Sequence, residues 1–106
     1  MRIFYILLLG QFMFAATINV PADYSTIQGG IDGASAGDTV LVSPGTYVEN
    51  IDLRNKISVF GSDRETTIID GNQNGSVVTI TYVSDTTTTL YGFTLINGSG
   101  TSVLWG

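Results

Sequence analysis

The chain has 106 residues, carries a net charge of −5 and contains neither cysteine nor histidine. A chain of this length accommodates one domain at most. The missing residue types exclude disulfides, thiolate or imidazole metal sites and histidine-based catalysis. The acidic balance argues against binding to nucleic acid or to an anionic membrane surface. We therefore expect no cofactor and no metal site, which leaves carboxylate, hydroxyl, amide or backbone chemistry.

Residues 1–16 have the pattern of an export signal. Arg2 precedes a largely apolar stretch, Ile3–Phe14, which is followed by the small residues Ala15 and Ala16. This order is typical of a secretory signal peptide, and the stretch is shorter than the roughly 20 apolar residues of a membrane-spanning helix. We predict a signal peptide over residues 1–16, cleaved after Ala16, and a secreted, cell-surface or periplasmic location. An uncleaved N-terminal anchor is the alternative.

Residues 17–38 are predicted to form an extended strand and a short helix. The helix is expected within Tyr24–Ala34, where Ser25 and Gln28 have the spacing of a capping box. Ile27 and Ile31 fall on one helical face. Three glycines inside this segment each cost about 1 kcal/mol relative to alanine. Packing of the isoleucine face against the rest of the fold must therefore stabilise the helix.

From residue 39 onward the pattern changes to short β-rich runs separated by turn signals. Pro44-Gly45 is typical of a type II turn, where the chain changes direction. The predicted strands are Thr39–Ser43, Tyr47–Leu53, Ile57–Gly61, Thr67–Ile69, Val77–Val83, Thr88–Phe93 and Thr94–Ile96.

An internal repeat distinguishes a solenoid from a β-sandwich, which short strands alone also allow. Val59–Gly61 recurs as Leu90–Gly92 at an offset of 31 residues, and Thr67–Gly71 recurs as Thr94–Gly98 at an offset of 27. The difference of four residues is expected in a longer loop at Ser62–Thr66. Repeats that place similar residues at equivalent positions stack side chains into columns, so the pattern favours a solenoid.

Four segments resemble the start of proteins of the pectin lyase-like superfamily: Val20–Gln28, Ala36–Ile51, Thr67–Gly71 and Gly92–Leu95. The resemblance implies an all-β fold, a right-handed parallel β-helix, whose open end is covered by the N-terminal helix. Residues 39–106 then correspond to its first coils. Because the sequence stops inside an apparent further strand without a terminal cap, we expect an N-terminal fragment of a longer β-helix protein.

Two polar groups are candidate sites. Asp63, Arg64 and Glu65 form the densest one; they are candidate ligand-binding residues, and the competing interpretation is a solvated loop with an internal ion pair. The turns Asp70-Gly71 and Asn97-Gly98 occupy repeated positions, which favours a structural ladder of left-handed turn residues hydrogen-bonded from coil to coil.

Aromatic residues are the remaining candidates for sugar contact, because an aromatic face with a polar tip suits carbohydrate. Tyr47, Tyr82, Tyr91 and Trp105 are of this kind, although Tyr91 repeats Phe60 and is expected in the same side-chain column.

The sequence and the resemblance together favour a non-catalytic role. We expect a secreted or cell-surface β-helix that associates with polysaccharide or a cell-surface glycan, or that acts in adhesion. The alternative is the start of a polysaccharide-active enzyme, similar to a pectate lyase, pectinesterase or glycosidase, with its catalytic coils further along the chain. A β-sandwich adhesin module is a third interpretation. No catalytic motif of the resembling enzymes is found, so no catalytic residue is assigned.

Overall fold

A computed structural model describes residues 14–80 and 87–99 of the protein. Most of the predicted signal peptide, together with Tyr82 and Trp105, lies outside these residues. Within them, no helix is long and apolar enough to cross a membrane. The elements are β1 (Thr17–Val20), α1 (Ile27–Gly33), β2 (Thr39–Val42), β3 (Gly45–Val48), β4 (Ile51–Leu53), β5 (Ser58–Gly61), β6 (Thr67–Asp70), β7 (Val78–Ile80), β8 (Thr89–Tyr91) and β9 (Thr94–Ile96).

The strands form three sheets in which every pairing is parallel. One sheet has the order β1-β2-β5-β8, the second β3-β6-β9, and the third β4-β7. The chain therefore winds from sheet to sheet and returns one layer higher, making a β-solenoid of about three turns. The antiparallel pairing of a β-sandwich does not occur among these strands, so the predicted solenoid is confirmed.

Aliphatic side chains stack inside the coils and form the core. Ile18, Val40, Val59 and Leu90 are register partners on successive strands of the first sheet. Burying an aliphatic side chain fully contributes about 1.5–3 kcal/mol, so these columns account for stability without disulfides. The buried hydrophobic residues are Val20, Ile27, Ile31, Val40, Val42, Ile51, Leu53, Ile57, Val59, Ile69 and Val77.

The predicted strand Tyr47–Leu53 is in fact two strands, because Glu49 and Asn50 turn the chain between β3 and β4. The Nδ2 group of Asn50 donates to the carbonyls of Gly71 at 3.2 Å and Ser76 at 3.0 Å, both on the next coil. Side chain-to-backbone bonds of this kind compete with strand pairing. The other predicted strands after residue 38 begin within one residue of their predicted starts.

The first predicted repeat is confirmed and the second differs by one residue. Val59 pairs with Leu90, an offset of 31. Ile69 pairs with Leu95, an offset of 26 rather than 27. Because alternate strand residues face opposite sides, this shift places Leu95, not Ile96, over buried Ile69. Sequence similarity between the two turns suggested the wrong register.

The helix cap was predicted one residue too early. Thr26 is the N-cap, and its Oγ1 accepts the N–H of Gly29 at 3.0 Å. Ser25 is therefore not the cap, and Gln28 is the second residue of the helix, which begins at Ile27. A capping box requires the third position, so the side chain of Gln28 is available for another contact.

That contact joins α1 to the solenoid. The Gln28 side chain accepts the N–H of Asp52 at 2.7 Å and donates to the carbonyl of Asp52 at 3.2 Å, as a neighbouring strand would. The Glu49 carboxylate accepts the N–H of Ile27 at 2.8 Å and of Gln28 at 3.0 Å. A negative charge at a helix N-terminus is stabilising because the helix dipole is positive there.

The glycines of this helix permit close packing. Ile27 and Ile31 are fully buried, and a Cβ at Gly30 would lie 3.0 Å from methyl groups of Val20 and Val40. The helix therefore gains contact with the first two strands from a residue that weakens it in isolation.

Candidate functional site

The candidate site is built by one long corner of the solenoid. Two residues separate β2 from β3, and two separate β8 from β9, whereas five residues, Ser62–Thr66, separate β5 from β6. Counted between register partners, from Val59 to Ile69 and from Leu90 to Leu95, this corner holds five more residues than the equivalent corner of the third coil. The predicted longer loop is confirmed at Ser62–Thr66, and the insertion relative to the third coil is five residues instead of the expected four.

Backbone hydrogen bonds fix the shape of this loop. The Asp63 carbonyl accepts the N–H of Thr66 at 3.1 Å and of Thr67 at 2.8 Å. The Asp63 carboxylate accepts the N–H of Glu65 at 3.1 Å. The Thr94 hydroxyl donates to the Arg64 carbonyl at 2.6 Å and attaches the loop to the next coil. These bonds hold the backbone of the loop and one oxygen of Asp63, and they do not use the charged side chains of Arg64 and Glu65.

Two stacked glycines form the floor beside the loop. A Cβ at Gly61 would lie 2.1 Å from the carbonyl oxygen of Gly92, and a Cβ at Gly92 would lie 2.3 Å from that of Gly61. Gly92 also has a φ of 86°. Only glycine permits this approach. The glycine that ends both the Val-Phe-Gly and the Leu-Tyr-Gly unit is the sequence signal of this contact.

Tyr91 forms one side of the depression. Its partner in the register is Phe60, and the two rings meet edge to face with centroids 6.1 Å apart and an interplanar angle of 79°. The predicted aromatic column is therefore confirmed. Tyr91 is nevertheless 71% exposed, so its place in the column leaves the ring accessible to solvent.

The three predicted ligand-binding residues meet Tyr91 in an open depression of about 460 Å³, a volume in the range of small-molecule sites. The structure describes one salt bridge, Arg54–Asp32, so the internal ion pair expected in this loop is not seen. Among the described residues, the side chains of Arg64 and Glu65 have no hydrogen-bond partner. The lining residues are Gly61, Ser62, Asp63, Arg64, Glu65, Tyr91 and Gly92.

The predicted turn ladder lies away from this depression. Asn97 Nδ2 donates to the Asp70 carboxylate at 3.0 Å, which also accepts the N–H of Asn72 at 2.8 Å. Of the four predicted ladder residues, Asn97 alone has positive φ, at 56°. In the turn that follows β6 the residues with positive φ are Asn72, Gln73 and Gly75. The predicted contact between coils is therefore present, from Asn97 to Asp70. Apart from Asn97, however, the residues with left-handed backbone are not the predicted ones.

The two ladder glycines serve side-chain packing. A Cβ at Gly71 would lie 2.9 Å from a methyl group of Val77, and one at Gly98 would lie 3.1 Å from the same group. Val77 is buried, so the absence of side chains at these positions gives it room. The Gly71 N–H donates to the Ile96 carbonyl at 2.9 Å and continues the ladder.

Among the residues that the structure describes, two ionisable groups have shifted pKa values, and neither lies in the depression. Backbone N–H groups of Ser35 and then Ala16 donate to the Asp38 carboxylate and lower its pKa, while burial acts in the opposite direction. Burial, and then the charge of Glu49, raises the pKa of Tyr47. The Tyr47 hydroxyl donates to the Ser43 carbonyl at 2.8 Å and its ring packs on the core, so Tyr47 is not the exposed platform considered above.

The described residues contain no group of three or more acidic side chains arranged to hold a metal ion. A scan against protein-family models and searches of curated proteins and of solved structures find no match to this chain. The fold itself therefore defines the class of protein, a parallel β-solenoid with a helix packed on its first coils.

Proposed function

We propose that this β-solenoid is an exported, non-catalytic protein that binds polysaccharide at the depression between Tyr91 and the loop Ser62–Thr66. One observation carries the proposal: an aromatic ring that is 71% exposed borders the same depression as Arg64 and Glu65, whose side chains have no partner in the described part of the chain. Aromatic rings present an apolar face and a polar tip. Sugars have apolar ring faces and peripheral hydroxyls, so the combination suits them.

The polar side of the depression supports the same ligand class. Arg64 offers up to five N–H donors, and the Glu65 carboxylate offers acceptors only. Sugar hydroxyls both donate and accept, and they therefore complement both groups. Hydrogen bonds to charged groups contribute about 1.5–3 kcal/mol each when well formed, and the fixed loop backbone limits the ordering cost of binding.

The proposal also covers the location of the protein and its family relationship. We propose that residues 1–16 direct export to the cell surface or the surrounding medium, the periplasm included, and that the chain is related to the pectin lyase-like superfamily. The parallel solenoid and its N-terminal helix support this relationship. No described residue favours the enzymatic alternative, so the proposal is limited to binding, including adhesion through a bound glycan.

The test is native affinity electrophoresis of the full chain in gels containing hydroxyethyl cellulose, a neutral β-glucan, or polygalacturonate, a polyuronate. We expect retention in at least one gel. Tyr91→Ala should weaken binding about two- to tenfold, the size of an aromatic contact. Tyr91→Phe is the matched control, because it keeps the ring and should keep most of the affinity.

Unfolding midpoints of the three proteins show whether the variants remain folded. Equal retention of Tyr91→Ala and the wild type, with both folded, would exclude the ring from binding. Migration unaffected by either polysaccharide would reject the proposed function.

A further inference from the structure

We infer that the depression selects an uncharged glycan and rejects a polyuronate, an inference that rests on the proposed function. Its charged residues are Asp63, Arg64 and Glu65, all of them exposed. Two carboxylates and one guanidinium give the loop a net charge of −1 at neutral pH. The ligand side of the site is thus weakly anionic, with its one positive charge flanked by two negative ones.

The hydrogen-bonding capacity of the loop points in the same direction. One Asp63 carboxylate oxygen accepts the Glu65 N–H, which leaves the other oxygen and the whole Glu65 carboxylate as acceptors. Acceptors require ligand groups that donate, and the hydroxyls of a neutral sugar do so. A uronate carboxylate is itself an acceptor, so it can use Arg64 but not the two flanking acids.

The remainder of the described surface does not offset this charge. The described residues include eight acidic and three basic side chains, and one of the three, Arg54, forms an ion pair with Asp32 at 2.9 Å. A polyuronate carries a negative charge on each sugar and therefore meets repulsion from the site and from the chain as a whole. A neutral glycan carries no charge, so neither the site nor the chain as a whole repels it.

The experiment measures the ratio of two affinities, one for hydroxyethyl cellulose and one for polygalacturonate, by isothermal titration of the full chain at low ionic strength. For the wild type we expect tighter binding to the neutral glucan. The double variant Asp63→Asn with Glu65→Gln keeps the shape of both side chains and removes both negative charges. It should shift the ratio toward polygalacturonate by about fivefold or more, the factor for one charge contact near 4 Å in water.

Arg64→Gln is the matched opposite change, because it makes the loop more negative and should shift the ratio further toward the neutral glucan. Raising the salt to about 0.15 M, where exposed charges are screened beyond about 8 Å, should reduce both shifts. Equal or tighter binding of polygalacturonate by the wild type would overturn the inference and leave the proposed function standing. Binding of neither polysaccharide would overturn both.

Discussion

The two ends of the described solenoid differ in whether their charged and amide side chains are hydrogen-bonded to the backbone. At the helix end, formed by α1 with β1, β2 and β4, charged and amide side chains are bonded to backbone: Glu49 to the helix N-terminus, Gln28 to Asp52, and Asp38 to Ala16 and Ser35. At the loop end, formed by Ser62–Thr66 with β8 and β9, Arg64 and Glu65 leave their side chains unbonded among the described residues.

The burial of apolar side chains also differs between the two ends. Ile27 and Ile31 at the helix end are fully buried, whereas Tyr91, Leu95 and Ile96 at the loop end are 71%, 45% and 38% exposed. Groups already paired with backbone contribute to stability and have fewer sites left for a ligand, while the unpaired side chains of Arg64 and Glu65 keep all of theirs. The difference is consistent with a stabilising role for the helix end and with the proposed binding role for the loop end.

The largest expected effect compares the same substitution at the two ends. Ile31→Ala removes a fully buried side chain and should lower the free energy of unfolding by about 2–5 kcal/mol. Ile96→Ala, at a partly exposed position, should lower it by less than about 1 kcal/mol. Urea titrations followed by circular dichroism measure both. Equal losses would contradict the assignment of stability to the helix end.

Gly61→Ala tests the backbone contact beneath the depression. The new Cβ would lie 2.1 Å from the Gly92 carbonyl, so the third coil must move, at a cost of about 3 kcal/mol, the upper part of the range for overpacking. Urea titration measures the decrease in the free energy of unfolding, and intrinsic fluorescence reports changes in the surroundings of the tyrosines. A variant as stable as the wild type would show that the two glycines are not in contact.

Glu49→Ala removes the acceptor for two helix N–H groups and should cost about 1–2 kcal/mol, as loss of a helix cap does. Glu65→Ala is the matched control, since this carboxylate makes no described bond, and the expected change is within about 0.5 kcal/mol. Thermal unfolding distinguishes the two. A loss of stability in Glu65→Ala as large as that in Glu49→Ala would remove the contrast between paired and unpaired acids.

Asp38 gives the smallest effect, and it depends on pH. Its pKa is lowered in the folded state from an ordinary value of 3.8, so the ionised form stabilises the fold above about pH 3.8, and this contribution disappears as the pH falls through the folded pKa. Asp38→Asn should therefore lose less stability than the wild type between pH 6 and pH 3, measured by urea titration.

Asp52→Asn is the control for that comparison, because it makes the same substitution at a carboxylate that forms no bond among the described residues. An acid loss in Asp38→Asn identical to that of the wild type would contradict the role of the Ser35 and Ala16 N–H groups.

Much of the fold was predictable because strand periodicity and a repeat are local signals. The 31-residue offset and the long corner at Ser62–Thr66 were found from sequence. The 26-residue register was not, since the similar residues of the two turns align best at 27. The helix cap at Thr26 was not distinguished from Ser25, because both adjacent hydroxyl residues suit an N-cap. The contacts of the helix with Glu49 and Asp52 join residues more than 20 positions apart and could not be predicted from local spacing.

The candidate site was predictable in composition and not in geometry. Asp63, Arg64 and Glu65 stood out as a dense polar group, but their proximity to Tyr91 depends on coil stacking across about 30 residues of sequence. The stacked Gly61 and Gly92 show the same limit, because a close backbone approach is a property of the pair and not of either residue.

The most direct test of this account is amide hydrogen exchange of the full chain with and without hydroxyethyl cellulose. The account predicts slower exchange on binding at residues 62–66 and 91–93, with little change in α1 and β4. Slower exchange confined to the helix end, or spread evenly over the solenoid, would contradict the division between a stabilising end and a binding end.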